Sequence, residues 1–141
     1  MARFLVVDGD QMAVDAIAKL LRQDGHEVQP FTSETDAVAT LSRESFDVVM
    51  ADLDMPHTGG ELVVPAAREC SPWACLVVVT SKSGMLDKWA EKGVCIVVER
   101  PIDYDHFAKA VAACHARGGR RAGCYMQSQV ERPHLTQLGR R

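Results

Sequence analysis

Short, valine-rich apolar runs alternate with amphipathic helical patterns along most of this chain, and that alternation limits the folds open to it. The apolar runs are mostly continuous, as in strands that are buried on both faces of a sheet. They predict strands at residues 4–7, 28–31, 48–51, 76–79 and 94–98. The intervening patterns predict helices at 11–22, after a capping box at 33–36, at 61–69, at 86–92 and after an N-cap at Asp103. Strict alternation of strand and helix favours a doubly wound α/β fold, a parallel sheet with helices on both faces.

Charge is divided unevenly between the body of the chain and its end. Residues 1–117 hold 18 acidic residues against 11 lysines and arginines, whereas residues 118–141 hold five arginines and a single acid. A break rich in glycine and arginine begins the second part. We therefore predict one domain over 1–117 and a basic C-terminal tail over 118–141. The tail is a solvated or self-docking extension in the simplest interpretation. Binding of nucleic acid is the alternative, but no helix-turn-helix pattern supports it.

Composition excludes further classes of protein. No apolar run approaches the roughly 18 residues that a membrane span requires, and the apolar N-terminus meets Asp8 too early for a signal peptide. We expect a cytoplasmic protein with no membrane association. The five cysteines form no C-x-x-C pair, so they are predicted to be reduced and mostly buried, and a metal role is disfavoured.

Polar side chains stand where the predicted strands end. They are Asp8 and Asp10 after the first strand, Asp52 and Asp54 after the third, Thr80 after the fourth and Arg100 after the fifth. Because parallel strands end at one edge of the sheet, where ligands bind, we expect these side chains to converge. Asp52 is the leading candidate for the centre of the site, since a buried strand delivers its single carboxylate to that edge.

This collection of residue types suits phosphoryl chemistry. Clustered carboxylates repel each other, and a divalent cation among them relieves the repulsion. Mg²⁺ prefers one or two carboxylates together with a phosphate oxygen. A carboxylate beside such a cation can attack phosphorus, while a hydroxyl and a cationic side chain bind the phosphoryl oxygens.

The motifs V-V-D-x-D, D-x-x-M-P-x-x-G-G, V-V-T-S and R-P-I-D, in this order and at these separations, resemble those of two-component response-regulator receiver domains. The resemblance covers residues 3–116. It implies a flavodoxin-like (βα)5 fold whose five parallel strands lie in the order 2-1-3-4-5. It also implies a cis peptide bond before Pro101.

The resemblance assigns roles to the residues at the sheet edge. Asp52 would be the phospho-acceptor, Thr80 the hydroxyl that moves toward the phosphoryl group, and Arg100 the cation of the pocket. Mg²⁺ would be held by Asp8, by Asp52 and by the backbone carbonyl of Asp54. These assignments are expectations that rest on the family pattern.

The chain departs from that pattern at three positions. Gly9 stands where the family normally has a second pocket acid, so weaker binding of Mg²⁺ is expected. Two roles are open for the adjacent Asp10, which could cap the N-terminus of the first helix or replace the missing acid as a ligand of Mg²⁺. Arg100 replaces a lysine, and its forked guanidinium could clamp Asp52 or bind the phosphoryl group. Val97 replaces the aromatic residue that couples many receivers to their output.

Two functions are left open. In the first, the chain accepts a phosphoryl group on Asp52 from a histidine kinase or phosphotransfer protein. It then signals to a downstream protein through the face formed by the fourth helix, fifth strand and fifth helix. It would not be an enzyme in the ordinary sense, and a homodimer stays open. In the second, it is a phosphorylation-independent pseudo-receiver, a binding or scaffold module in which Arg100 locks Asp52.

Overall fold

Strands and helices alternate along the chain as the sequence predicts. The computed structural model describes residues 1–55 and 61–118, together with the backbone of 126–127. The strands are β1 (Arg3–Val7), β2 (Glu27–Phe31), β3 (Val48–Asp52), β4 (Cys75–Thr80), β5 (Ile96–Glu99) and β6 (Met126–Gln127). The helices are α1 (Gln11–Gln23), α2 (Glu34–Leu41), α3 (Val63–Cys70), α4 (Leu86–Ala90) and α5 (Tyr104–Ala116). None of the described helices is long and apolar enough to cross a bilayer.

All strand pairs are parallel, in the order β2-β1-β3-β4-β5-β6. The predicted order of the first five strands, 2-1-3-4-5, is confirmed. The short β6 is an addition that the sequence pattern does not indicate. It pairs with β5 in the register Ile96↔Met126 and Val97↔Gln127. Part of the segment predicted as a tail therefore joins the sheet.

Helices cover both faces of the sheet and bury an apolar cluster on each. Phe4 and Phe107 belong to the cluster that α1 and α5 cover, and Leu5 and Phe46 belong to the cluster on the other face. All four side chains are at most 1% exposed. Burial of a side chain of this size stabilises the fold by about 1.5–3 kcal/mol. The two clusters hold the strands, and so the edge where the predicted site lies, in a fixed arrangement.

Side-chain caps fix where three of the helices begin. The carboxylate of Asp10 accepts a hydrogen bond from the backbone N–H of Met12, and Asp103 caps α5 in the same way. The Ser33 hydroxyl accepts from the N–H of Asp36, as the predicted capping box requires. Because α1 begins directly after β1, the cap at Asp10 also fixes the loop that carries Asp8.

Candidate functional site

The sheet brings the predicted polar residues to one edge. The carboxyl ends of β1, β3 and β4 lie side by side, and β5 follows β4. Asp8 directly follows β1, Asp52 ends β3, Thr80 ends β4 and Arg100 directly follows β5. Asp52 is only 6% exposed and Thr80 only 1% exposed, so both act from within the structure. The peptide bond before Pro101 is cis, as predicted.

One guanidinium joins the acids at this edge. Nη2 of Arg100 lies 3.0 Å from Oδ1 of Asp52 and 3.2 Å from Oδ2 of Asp8. Nε of the same side chain lies 3.4 Å from Oδ2 of Asp54. Arg100 therefore does not clamp Asp52 through two parallel hydrogen bonds. It bridges three carboxylates with two nitrogen atoms and occupies the position where they could share a cation.

The electrostatics of the pocket reflect this crowding. Burial raises the pKa of the Asp8 carboxyl, and the negative charge of Asp52 raises it further. The backbone N–H of Asp10 and the guanidinium of Arg100 oppose that shift without cancelling it. Burial alone would lower the pKa of Arg100, but its bonds to Asp52 and Asp8 raise the pKa overall. The guanidinium stays charged, and its single positive charge faces several negative ones.

The two oxygens of Asp52 have different surroundings. Oδ1 accepts a hydrogen bond from the backbone N–H of Asp54 at 2.8 Å and forms an ion pair with Nη2 of Arg100 at 3.0 Å. Within the described residues, Oδ2 has no hydrogen-bond partner. One oxygen is thus held by a hydrogen bond and an ion pair, whereas no residue that the structure describes holds the other. Residues 56–60, which complete the D-x-x-M-P-x-x-G-G motif, lie outside the described residues.

Asp54 connects the loops that follow β3 and β4. Its Oδ1 accepts from the Thr80 hydroxyl at 3.3 Å, and its Oδ2 accepts from the N–H of Ser81 at 2.8 Å. The Thr80 oxygen in turn accepts from the N–H of Lys82 at 3.0 Å. The predicted role of Asp54 concerned its backbone carbonyl, and that role stays a prediction. The part played by its carboxylate was missed, although Asp54 and Ser81 both follow neighbouring strands in the sequence.

Asp52 lines a cavity with a volume of about 290 Å³. Its lining includes Asp8, Asp52, Asp54, Arg100, Asp10 and Met55. Asp10 caps α1, as one of its two predicted roles required, and its role as a ligand stays a prediction. A Cβ atom added to Gly9 would lie 3.5 Å from the Met55 side chain, which is an ordinary contact. A Cβ atom can therefore be added at position 9 without a steric clash with the described residues.

The side of the sheet near β5 lacks the aromatic residue expected of many receivers. Val97 is fully buried in the apolar cluster that also contains Trp89 of α4. Trp89 of α4 is also buried, at 5% exposed, and the ammonium groups of Lys88 and Lys92 lie 5.8 and 5.7 Å from its ring. The tryptophan is thus a packing residue beneath a basic surface.

Comparison with known proteins agrees with this geometry. The sequence profile described as "Response regulator receiver domain" matches residues 4–112. The chain belongs to the response-regulator receiver family, whose members are signalling modules of two-component systems. Receiver domains generally bind Mg²⁺ in the acidic pocket.

Particular relatives place the chain within the family. Protein PilH of Pseudomonas aeruginosa is 29% identical over 120 residues, which cover 80% of this chain and 97% of PilH. A response regulator receiver protein of Anaeromyxobacter sp. is 29% identical over 104 residues, which cover 72% of this chain and 44% of that protein. The chain thus spans less than half of the longer relative. A Burkholderia pseudomallei response regulator, solved with a phosphorylated aspartic acid and a calcium ion, has the same fold at a TM-score of 0.73 and 19% identity. That likeness covers 83% of this chain and 70% of the other.

Proposed function

We propose that Asp52 accepts a phosphoryl group from the phosphohistidine of a histidine kinase or phosphotransfer protein. The observation that carries this proposal is the asymmetry of its carboxylate. Oδ1 is fixed by the N–H of Asp54 and by Arg100, whereas Oδ2 has no partner among the described residues. A carboxylate beside a cavity, with one oxygen fixed and the other not bonded by any described residue, suits a nucleophile. The Burkholderia relative carries a phosphorylated aspartic acid, which supports the same chemistry here.

In the proposed transfer, Oδ2 of Asp52 forms a bond to phosphorus while the bond from phosphorus to the imidazole nitrogen breaks. The imidazole leaves in its neutral form after it takes up a proton. Oxygen donors of Asp8, Asp52 and the Asp54 carbonyl fit a hard cation such as Mg²⁺. When bound there, Mg²⁺ would neutralise charge on the transferring group. Gly9 contributes no ligand, so we expect this binding to be weak.

Two side chains have to change partners for the transfer. Arg100 would exchange at least one carboxylate for a phosphoryl oxygen, to which its fork is well matched. Thr80 would turn its hydroxyl from Asp54 toward the phosphoryl group. Loss of the Thr80 bond would loosen the link between the loops after β3 and β4. That loosening is the proposed origin of the signal.

We place the output on the face formed by α4, β5 and α5, where a downstream protein would bind. Val97 excludes the aromatic rearrangement used by many receivers, so the change at this face has to come from the β4–α4 loop. The proposal includes a cytoplasmic location and no nucleic-acid partner, and a homodimer is compatible with it. The chain would assist its own phosphorylation but would not be an enzyme in the ordinary sense.

A second function, a phosphorylation-independent binding module, is favoured by one observation. Arg100 contacts all three carboxylates within 3.4 Å and so supplies internally the positive charge that Mg²⁺ would bring. A pocket that is neutralised in this way could keep one fixed conformation. The two functions differ in whether the pocket responds to Mg²⁺ and to a phosphoryl mimic.

An amide NMR titration with Mg²⁺ and beryllofluoride separates the two functions. The wild type is compared with Asp52→Asn, and Asp36→Asn, which alters an exposed acid on α2, serves as the control. Saturable shifts around Asp52 and Thr80 that persist in the control but vanish in Asp52→Asn would support phosphotransfer. A folded spectrum without any response at millimolar concentrations would reject it in favour of the pseudo-receiver.

A further inference from the structure

Three cysteines meet in the core, at the end of the sheet opposite to Asp52. Cys75 is the first residue of β4, Cys95 directly precedes β5, and Cys114 lies in the last turn of α5. All three side chains are at most 1% exposed. Their positions in the sequence are far apart and form no metal-binding motif, which is why the sequence predicts inert buried thiols.

The arrangement of the sulphur atoms matches a threefold site for a metal ion. The three Sγ atoms all lie within 4.8 Å of one another. An ion at the centre of a sulphur triangle, with metal–sulphur bonds of about 2.3 Å, requires sulphur atoms about 4.0 Å apart. Small side-chain rotations can close that difference. The backbone N–H of Cys95 donates to the carbonyl of Leu76 at 2.8 Å, which holds this part of the site beside β4.

The thiols already interact with one another. Hydrogen bonding with Cys114 and with Cys75 lowers the pKa of the Cys95 thiol, although burial opposes that shift. The pKa of the Cys75 thiol is raised, chiefly by its bonds to Cys114 and Cys95 and also by burial. Metals bind the thiolate form of cysteine, so binding at this cluster requires the loss of thiol protons.

The surroundings select the kind of ion. Thiolates favour soft ions such as Cu(I) and Zn²⁺ over Mg²⁺ and Ca²⁺. No histidine or carboxylate joins this cluster within the described residues. Zn²⁺ in structural sites takes four protein ligands, so the cluster is one ligand short for it. Cu(I) accepts three sulphur ligands in a plane and needs no fourth.

A cavity lies beside α5, on the face of the sheet whose core also holds the three cysteines. A cavity of about 170 Å³ is lined by Phe107 and Val111 of α5 and by Val48 of β3, and also by surface residues such as His115. The same three apolar residues belong to the core cluster that contains the thiols. None of the three cysteines lines this cavity, so entry of an ion requires α5 to move away from the sheet.

We propose that Cys75, Cys95 and Cys114 form a binding site for a soft, thiophilic cation, with Cu(I) as the ion that fits best. Binding would replace thiol protons, which are released to solvent, and would involve no change of oxidation state. The site is independent of the proposed phosphotransfer at Asp52.

The test uses the full chain carrying Cys70→Ser and Cys124→Ser, which removes the thiols outside the cluster. Cu(I) is titrated without oxygen against a coloured Cu(I) chelator. We expect one Cu(I) per chain, a copper X-ray absorption spectrum with three sulphur neighbours, and a rise in Tm on binding. The same binding is expected when Asp52→Asn is added, since the phosphorylation site lies at the other end of the sheet.

Cys114→Ala in the same background provides the matched loss of one ligand. We expect its affinity for Cu(I) to fall by more than the roughly 10–100-fold that follows loss of an outer-shell partner. Absorption spectroscopy on the wild type keeps the test valid if this variant is poorly folded. Nitrogen or oxygen neighbours around copper, or unchanged affinity in folded Cys114→Ala, would overturn the proposal. The proposal would also be overturned if the chain carrying Cys70→Ser and Cys124→Ser failed to compete with the chelator for Cu(I).

Discussion

Replacement of Arg100 by lysine should make Asp52 more reactive. The guanidinium bridges Asp8, Asp52 and Asp54 at 3.0–3.4 Å, and its side chain is 29% exposed. A lysine ammonium is a compact charge on a flexible stem and cannot hold three carboxylates with the same fork. The substitution therefore keeps the positive charge of the pocket but loosens its attachment to the acids.

The size of the effect follows from those contacts. Ion pairs that retain solvent access contribute about 0–1 kcal/mol each, so we assign about 0.5 kcal/mol to each of the three. If lysine keeps one of the three contacts, the free energy needed to separate the acids from the cation is about 1 kcal/mol lower with lysine than with arginine. If Asp52 reacts only after release, a change of about 1 kcal/mol corresponds to a rate roughly fivefold higher. Affinity for Mg²⁺ should rise by a similar factor, because the ion competes for the same carboxylates.

The assay is the rate of phosphorylation by acetyl phosphate at one fixed Mg²⁺ concentration well below saturation, followed by the mass of the intact protein. Arg3→Lys is the matched control, since Arg3 also pairs with two acids, Glu27 and Glu44, but does so at the opposite end of the sheet. Its rate should equal that of the wild type. A rate for folded Arg100→Lys that is unchanged or lower would refute the idea that Arg100 restrains Asp52. A separate Mg²⁺ titration of the wild type and of Arg100→Lys shows how much of any change in rate comes from a change in Mg²⁺ affinity.

Three further predictions concern individual residues. Gly9→Asp should tighten Mg²⁺ binding, measured by NMR or calorimetry, because it adds an acid to the pocket and its Cβ would make only an ordinary contact with Met55. Asp10→Ala should lower the free energy of unfolding by about 1 kcal/mol, whereas Asp10→Ser should retain the cap and leave Mg²⁺ affinity unchanged. His26 should make the fold less stable as the pH falls through about 6.5, because burial lowers its pKa and the unfolded chain then binds more protons. Urea unfolding of wild type and His26→Asn at several pH values measures that slope.

Each of these predictions has a contrary outcome. Equal Mg²⁺ affinity in Gly9→Asp would mean that the loop after β1 does not direct position 9 into the pocket. Loss of Mg²⁺ affinity in Asp10→Ser would identify Asp10 as a ligand. The same dependence on pH in wild type and His26→Asn would assign the slope to other groups.

Most of the fold could be predicted because the valine-rich runs are long enough to be strands and no competing pattern interrupts them. β3 and β4 are buried along their whole length, which is what their continuous apolar sequences indicate. The two residues of β6 could not be found in this way. So short a strand has no periodicity of its own and forms only because β5 offers an unpaired edge.

The site was predictable in its membership and less so in its connections. Asp52, Asp8, Thr80 and Arg100 could be assigned to one edge because each one ends or follows a parallel strand. The bridge from Arg100 to all three acids could not be foreseen, since it depends on the path of a long side chain. Grouping of the three buried cysteines was equally hidden, because residues 75, 95 and 114 approach only after β4, β5 and α5 have packed.

The pairing of β6 with β5 also affects how the protein avoids aggregation. An unpaired outer strand presents backbone N–H and C=O groups to which another chain can add. β2, at one border of the sheet, contains Pro30, which has no N–H to offer. At the other border β6 occupies the backbone of β5 next to Ile96 and Val97. Both borders are thereby blunted, and the basic segment that supplies β6 protects an apolar strand that would otherwise be a template for intermolecular sheet growth.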